Sequence, residues 1–242
     1  MSKSFQFRQF SLKQEKSAQR MSTDSMVLGA VAELEGAMNI LDIGSGTGVL
    51  ALMMAQKHPD ALVDAVEIDA DSAAESMENF ENSPWSYRLS CYAESFQDFI
   101  RDETLHYDLI VTNPPYFEEI HTQKGGNKEW PDEKRRAART FSALSFDALL
   151  NGVERILVSY GRFYVILPIQ AESEFLEKAL AKKLFLFYRL RLQHDAGSEI
   201  HRLILGFQKT EADLSENVLV LRDNEGNWTE AYKALTKDFH TK

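Results

Sequence analysis

Residues 108–117 read Asp-Leu-Ile-Val-Thr-Asn-Pro-Pro-Tyr-Phe, an apolar run that ends in an amide, two prolines and an aromatic ring. Neither proline can donate to a sheet ladder, so Pro114 and Pro115 stop the strand and stiffen the backbone after it. Asn113 then offers a side-chain carbonyl, Pro114 a backbone carbonyl and Tyr116 a flat face. Together they can hold a planar amino group on a conjugated ring, through two accepted hydrogen bonds and one stack. The plainer reading of the same residues is a proline turn with an incidental asparagine.

A second motif lies upstream. Asn39-Ile40-Leu41-Asp42-Ile43 reads as a short strand ending near an acid. Gly44-Ser45-Gly46-Thr47-Gly48 follows, and then the apolar run 49–55, which reads as a buried helix. Strand, glycine turn and helix make the first half of a nucleotide-binding βαβ unit. Glycines let such a turn bend sharply and approach a ligand without a Cβ in the way. A dinucleotide fingerprint would need a third glycine at position 49, which is Val49, and no Gly-Lys-Ser/Thr follows to make a P-loop. The pattern Asp-x-Gly-x-Gly-x-Gly resembles instead the S-adenosylmethionine loop of class I methyltransferases. A glycine loop without a ligand is the bland alternative. The next strand, 62–69, ends in acids, and Glu67 lies nineteen residues past Gly48. An acid there can accept hydrogen bonds from both hydroxyls of a ribose. Asp69 is either a further ligand or the cap of a helix over 70–82.

The elements that must position these residues alternate β and α. A third strand falls at 87–92, a short helix at 96–103 and a fourth strand at 106–112. A polar segment, 118–133, reads as a mobile loop, and helical patterning resumes at Lys134 and again over 146–157. Gly161 opens a strong strand over 162–168, and a helix follows at 171–183. Strands over 184–194 and 200–209 flank Ala196-Gly197-Ser198 as an antiparallel hairpin. The tail adds a strand at 218–221, a turn at 223–227 and a helix capped by Thr229. This order predicts a doubly wound, mostly parallel α/β sheet with a C-terminal antiparallel hairpin, its ligand at the carboxyl ends of the strands.

Composition fits that architecture. With 242 residues, 44% of them hydrophobic, the chain can fill a single α/β domain. No apolar run approaches the roughly 20 residues of a membrane helix, and the N-terminus has no signal-peptide core. One cysteine, Cys91, excludes an internal disulfide and suits a reducing cytoplasm. The six histidines show no close metal-ligand spacing. A net charge of −10 argues against nonspecific nucleic-acid binding, but its distribution is uneven. Residues 1–20 carry +4 and residues 121–139 carry +3, which leaves −17 for the rest. The two basic segments bracket Asn113-Pro114-Pro115-Tyr116 in sequence; solvated surface is their plainer reading.

With these residues in hand, the chain resembles the adenine N6-methyltransferases. More closely, it resembles the bacterial family that methylates adenosine 37 in the anticodon loop of valine tRNA. The resemblance covers nearly the whole chain. It is carried by Phe5-x-Phe7-x-Gln9-Phe10-x-x-x-Gln14, by Thr23-Asp24-Ser25-Met26-Val27-Leu28-Gly29-Ala30 and by Asn-Pro-Pro-Tyr-Phe. It also rests on Ala138-Arg139 with Leu149-Leu150, and on the ending Tyr232-Lys233-Ala234-Leu235-Thr236-Lys237-Asp238-Phe239. It implies one methyltransferase domain: a basic arm at 1–30, a catalytic core at 31–210 and a C-terminal strand and helix at 211–242. It implies S-adenosylmethionine as donor, S-adenosylhomocysteine as product and no metal. The donor site would comprise Thr23 and Asp24 at the methionine end, Asp42, Gly44, Gly46, Gly48, Glu67, and Asn113 beside the methyl group. Glu94 would face the donor's adenine, although the family more often has Asp and an aliphatic residue where Glu94-Ser95 stand; a first-turn helix acid is the alternative. Asn113, Pro114 and Tyr116 would be catalytic. The substrate would be tRNA, that of valine, and the enzyme a cytoplasmic monomer with no membrane partner.

Asn-Pro-Pro-Tyr is shared with enzymes that methylate glutamine in release factors and guanine in ribosomal RNA. Only 41 residues precede Asp42, too few for the helical recognition domain that the glutamine enzymes carry. No segment is long enough for a DNA target-recognition domain, and the motifs are too complete for a binding module that has lost its chemistry. The basic segments give the first prediction. tRNA affinity should fall steeply with salt, and reversing the charges of Arg135 and Arg136 should lower it while leaving donor affinity intact. Equal tRNA binding at low and high salt would remove the bracketing clusters from the interface.

Overall fold

The structure, a computed structural model, describes residues 4–17, 21–101, 104–114 and 144–240. Pro115, Tyr116, the expected loop and the basic segment 121–139 lie outside the described residues.

Five strands run parallel: β3 (Asn39–Ile43), β4 (Leu62–Val66), β5 (Leu89–Tyr92), β6 (Tyr107–Thr112) and β7 (Leu157–Pro168). They stand in the order β5-β4-β3-β6-β7, because β4 pairs on one side of β3 and β6 on the other. The order therefore reverses at β3, and such a switch point opens a crevice at the carboxyl ends of the strands. β8 (Phe185–Gln193) and β9 (Ile200–Gln208) form the expected antiparallel hairpin. β9 inserts beside β7, and β10 (Ser215–Val220) adds to β8 in parallel at the edge. Among the described residues the sheet has eight strands.

Both faces of the sheet are covered, so its central strands are mostly buried, and all six residues of β6 are. Alternation along β3 sends Ile40 to one core and Leu41 to the other. On the first face lie α1 (Thr23–Val31), α2 (Val49–Lys57) and α3 (Ala70–Glu81), with α7 (Glu230–Thr236) closing over them. The second face carries the short α4 (Phe96–Phe99), α5 (Phe146–Ile156) and α6 (Glu172–Ala181). α2 is apolar all round because α1 covers its outer side; a Cβ on Gly29 would meet Met53 Sδ at 2.5 Å. Among the described residues no helix is long and apolar enough to cross a membrane.

Several boundaries differ from expectation. The helix expected over 96–103 stops at Phe99. β7 begins at Leu157, straight out of α5, rather than at Gly161. Its pairing with β6 is irregular between Tyr107 and Leu109, and a Cβ at Gly161 would lie 2.9 Å from the Asp108 carbonyl. β10 starts three residues before the expected strand, as an edge with four exposed positions, where alternation carries no burial signal.

The N-terminal arm is seated by α3. A two-stranded ribbon, β1 (Phe5–Gln6) with β2 (Ser11–Leu12), stacks Phe7 on Phe10 with ring centroids 4.1 Å apart. Beyond it the buried carboxylate of Glu75 accepts the amides of Glu15 at 2.5 Å, Lys16 at 2.9 Å and Ser17 at 2.8 Å. Hydrogen bonds to a charged group stabilise by roughly 1.5–3 kcal/mol each. Bonds that share one carboxylate do not add, so Glu75→Ala should lower stability by at least the roughly 1.5–3 kcal/mol of one such bond and open residues 13–17 to proteolysis. An unchanged urea midpoint and an unchanged digestion pattern would show that the arm is held elsewhere.

Candidate active site

The glycine turn follows from the register. Ile43 of β3 pairs with Val66 of β4 and with Thr112 of β6, and Thr112 Oγ1 donates to the Ile43 carbonyl at 2.7 Å. The next residues of the three strands, Gly44, Glu67 and Asn113, thus leave the sheet in one row. Gly44 turns back at once, its amide donating to the Val66 carbonyl at 2.8 Å. Gly44, Gly46 and Gly48 have φ of 72°, 56° and 78°, a region L side chains rarely enter. Their surroundings differ. A Cβ on Gly44 would meet no atom within 4 Å, and one on Gly46 only Ser17 Oγ at 3.7 Å. A Cβ on Gly48 would strike the Phe80 ring at 2.5 Å, so packing of α2 on α3 demands that glycine. Gly44 and Gly46 are where a ligand can come close to the backbone.

Side chains of α3 fasten the turn from below. Ser76 Oγ donates to the Gly46 carbonyl at 2.9 Å, and Asn79 Nδ2 to that of Thr47 at 2.9 Å. Asn79 also binds Lys13 of the arm in both directions, at 2.8 and 3.0 Å.

Two carboxylates flank the turn. Asp42 is fully buried; its Oδ2 accepts the Ala51 amide at 3.1 Å and so satisfies an open donor in the first turn of α2. Its Oδ1 has no hydrogen-bond partner among the described residues. Burial pushes its carboxyl up to about 7, against the pull of the Ala51 amide, and the charge of Glu67 adds to the rise. Glu67 accepts the Gly46 amide at Oε2 and the Asp69 amide at Oε1, both at 2.9 Å. Burial raises its carboxyl, and those amides restrain the rise. Each oxygen of Glu67 keeps a second lone pair that can meet a hydroxyl. Asp69 is the cap of α3, accepting the Ser72 amide at 2.9 Å.

Glu94 lies two residues beyond β5. Ser95 caps α4 by accepting the Asp98 amide at 3.0 Å, so Asp98, not Glu94, is the acid in the first helical turn. Cys91 is packing, its thiol pushed up to about 11 by burial.

On the acceptor side, Asn113 is half-buried and Pro114 buried. The amide nitrogen of Asn113 donates to Ser25 Oγ at 2.9 Å. Ser25 lies in the first turn of α1, which Ser22 caps and which carries Thr23 and Asp24. Asp24 sits 3.3 Å from Arg202 Nε of β9; burial raises its carboxyl while Arg202 pulls it down. The expected residues on α1, β3, β4, β5 and β6 thus meet at one edge, while Tyr116 lies outside the described residues. Sequence reasoning missed Ser25, Glu75, Ser76 and Asn79 as supports.

Residues 17–129 match the model of the methyltransferase small domain. The tRNA1(Val) (adenine(37)-N6)-methyltransferase of Flavobacterium psychrophilum is 36% identical over 98% of this chain and 99% of its own length. The chain belongs to that family. Among solved structures, a predicted O-methyltransferase of Agrobacterium tumefaciens superposes with a TM-score of 0.69 at 16% identity, covering 89% of this chain and 96% of its own. TrmK of M. capricolum, bound to S-adenosylhomocysteine, gives 0.54 at 10% identity, with coverages of 81% and 71%. Both carry the class I methyltransferase fold.

The methyl donor of the family is S-adenosylmethionine, and the site fits it. The turn leaves backbone open at Gly44 and Gly46, Glu67 can take hydroxyls, and Asp42 holds an unmet acceptor beneath the turn. No group of three or more His, Cys, Asp or Glu able to hold a metal occurs among the described residues. Glu67→Ala should weaken S-adenosylmethionine binding by about 1.5–3 kcal/mol. Gly46→Val should do more damage, since valine would have to adopt φ 56°. Calorimetry showing wild-type affinity in Glu67→Ala would remove Glu67 from the donor site.

Proposed function

We propose that this chain transfers the methyl group of S-adenosylmethionine to the exocyclic N6 amine of adenosine 37 in the anticodon loop of tRNA(Val). One observation carries the reading: the β3–β6 register sets Asn113-Pro114 beside the glycine turn at the switch point of the sheet. The names of the relatives support the choice of tRNA and base.

The bound donor supplies an electrophilic methyl on a sulfonium. Glu67 takes the ribose hydroxyls, and Gly44, Gly46 and Gly48 shape the backbone around the donor. Thr23 and Asp24 serve its methionine end, Asp42 lies beneath the turn that holds it, and Glu94 serves its adenine. The amine of adenine is a weak nucleophile because its lone pair is delocalised into the ring. Asn113 Oδ1 and the Pro114 carbonyl accept its two hydrogens, draw the nitrogen toward tetrahedral geometry and aim the lone pair at the methyl. Placement and electrostatics supply the catalysis, with no covalent enzyme intermediate. The base must leave its stack to reach this pocket, and Tyr116 replaces its stacking neighbour. Lysines and arginines of 1–20 and 121–139 hold the RNA backbone. The arm, the core and the C-terminal strand and helix work as one catalytic unit, a monomer of the cytoplasm.

Asn113 and Tyr116 should fail in different ways. Asn113→Ala should lower the methyl-transfer rate constant by roughly 10²-fold or more with little change in tRNA affinity. Tyr116→Ala should lose base capture worth roughly 1–3 kcal/mol, and Tyr116→Phe should keep most activity. Neither should disturb donor affinity much. Single-turnover kinetics on purified tRNA decide the matter: Asn113→Ala at the wild-type rate would reduce the motif to a proline turn.

A further inference from the structure

We propose that residues 15–17 of the arm form one wall of the methyl-donor site, and that Glu75 is the positioning residue that holds this wall in place. The proposal rests on the reading of Gly44 and Gly46 as the turn that receives the donor.

The first observation is a buried polar stripe on α3. Ser72, Glu75, Ser76 and Asn79 stand at i, i+3, i+4 and i+7, one face of a helix. None is more than 3% exposed. Polar groups buried so deeply cost stability unless each is hydrogen-bonded, and here the partners divide between two neighbours. Ser76 and Asn79 hold the carbonyls of Gly46 and Thr47 in the turn. Ser72, Glu75 and Asn79 hold the arm, at Ser17, at the amides of residues 15–17 and at Lys13. Attachment alone would not need this. The ribbon is already packed by Phe7 on Phe10, and by Phe10 edge-on to Trp85 with centroids 5.8 Å apart. What the stripe adds is a fixed position of residues 13–17 relative to the turn.

That position borders the space over Gly46. Among the described residues, Ser17 Oγ is the one atom that a Cβ on Gly46 would meet within 4 Å. A ligand that comes up to the open backbone of Gly46 therefore comes up to Ser17. Ser72 Oγ lies 3.3 Å from Ser17 Oγ and donates to Asp69 Oδ2 at 2.7 Å, while the Asp69 amide donates to Glu67. The arm thus closes between the turn and the carboxylate that takes the ribose. On its other side, Gln14 Oε1 accepts the Met21 amide at 3.1 Å, one residue before the Ser22 cap of α1. Glu75 holds the wall with both oxygens, Oε1 taking the amides of Glu15 and Lys16 and Oε2 that of Ser17. A carboxylate offers acceptors on both sides, whereas a glutamine would turn its NH2 against an N–H.

The test uses the full chain with S-adenosylmethionine as donor and S-adenosylhomocysteine as the probe for amide exchange. In the wild-type protein, exchange at Glu15, Lys16 and Ser17 should slow by roughly 100-fold when the probe is present at a hundred times its dissociation constant. Glu75→Gln should speed exchange at these amides. It should also raise the donor KM about 10-fold, the factor expected if the wall is in place a tenth of the time. The rate constant at saturating donor should stay within about twofold of wild type. A purely structural Glu75 would give the opposite split: fewer active molecules, hence a lower apparent kcat, at an unchanged donor KM. The exchange measurement needs no variant, so it decides the matter even if Glu75→Gln does not fold. Arm amides indifferent to S-adenosylhomocysteine, or a wild-type donor KM in a folded Glu75→Gln, would overturn the wall. Wild-type donor affinity in both Glu67→Ala and Gly46→Val would instead overturn the reading of the turn, whatever the arm does.

Discussion

Everything at the working edge of this protein depends on the pairing of β3 with a parallel strand on each side. Ile43 is level with Val66 and with Thr112, so the chain leaves the sheet at Gly44, Glu67 and Asn113 in adjacent lanes. A slip of one residue on either side would send each of these side chains to the opposite face. Burial enforces the register, because Ile40, Leu41, Leu109, Ile110 and Val111 have no exposed surface and divide between two cores. The hydrophobic patterning of a few strand residues thereby sets Gly44, Glu67 and Asn113 one strand spacing apart.

The same edge concentrates negative charge in a poorly hydrated place. Burial raises both Asp42 and Glu67, the charge of Glu67 adds to the rise at Asp42, and each carboxylate is partly compensated by backbone amides beside it. Those amides are also what hold the turn in its left-handed conformations, so the electrostatics and the shape of the loop are one arrangement. Among the described residues Asp42 Oδ1 alone of these carboxylate oxygens is left without a hydrogen-bond partner.

Much of this was legible in the sequence, for local reasons. Glycine spacing, apolar runs ending in acids, the caps at Asp69 and Thr229 and the hairpin around Gly197 are all short-range signals. What escaped depends on distant partners. Ser25 looks like one more polar residue in an apolar stretch until Asn113 arrives against it. Glu75 stands in a helix with Glu78 and Glu81 and reads as solvated, yet the arm folds back to bury it. α1 is apolar around most of its circumference and offers no stripe to read. Strands of two residues, β1 and β2, are too short to show a period. β7 starts without a turn signal because α5 runs straight into it. The cap at Ser95 puts Glu94 outside the first helical turn.

Asn79 spans two parts of the molecule at once, gripping Lys13 of the arm with both ends of its amide and the Thr47 carbonyl of the glycine turn. Arm and turn therefore share their order. A ligand that quiets the turn lowers the entropy left to be lost when the arm settles, and a partner that quiets the arm does the same for the turn. Such a coupling is reciprocal by thermodynamic necessity. The arm at Lys13 and the glycine turn are thus two ends of one equilibrium, in which order gained at either end lowers the cost of order at the other.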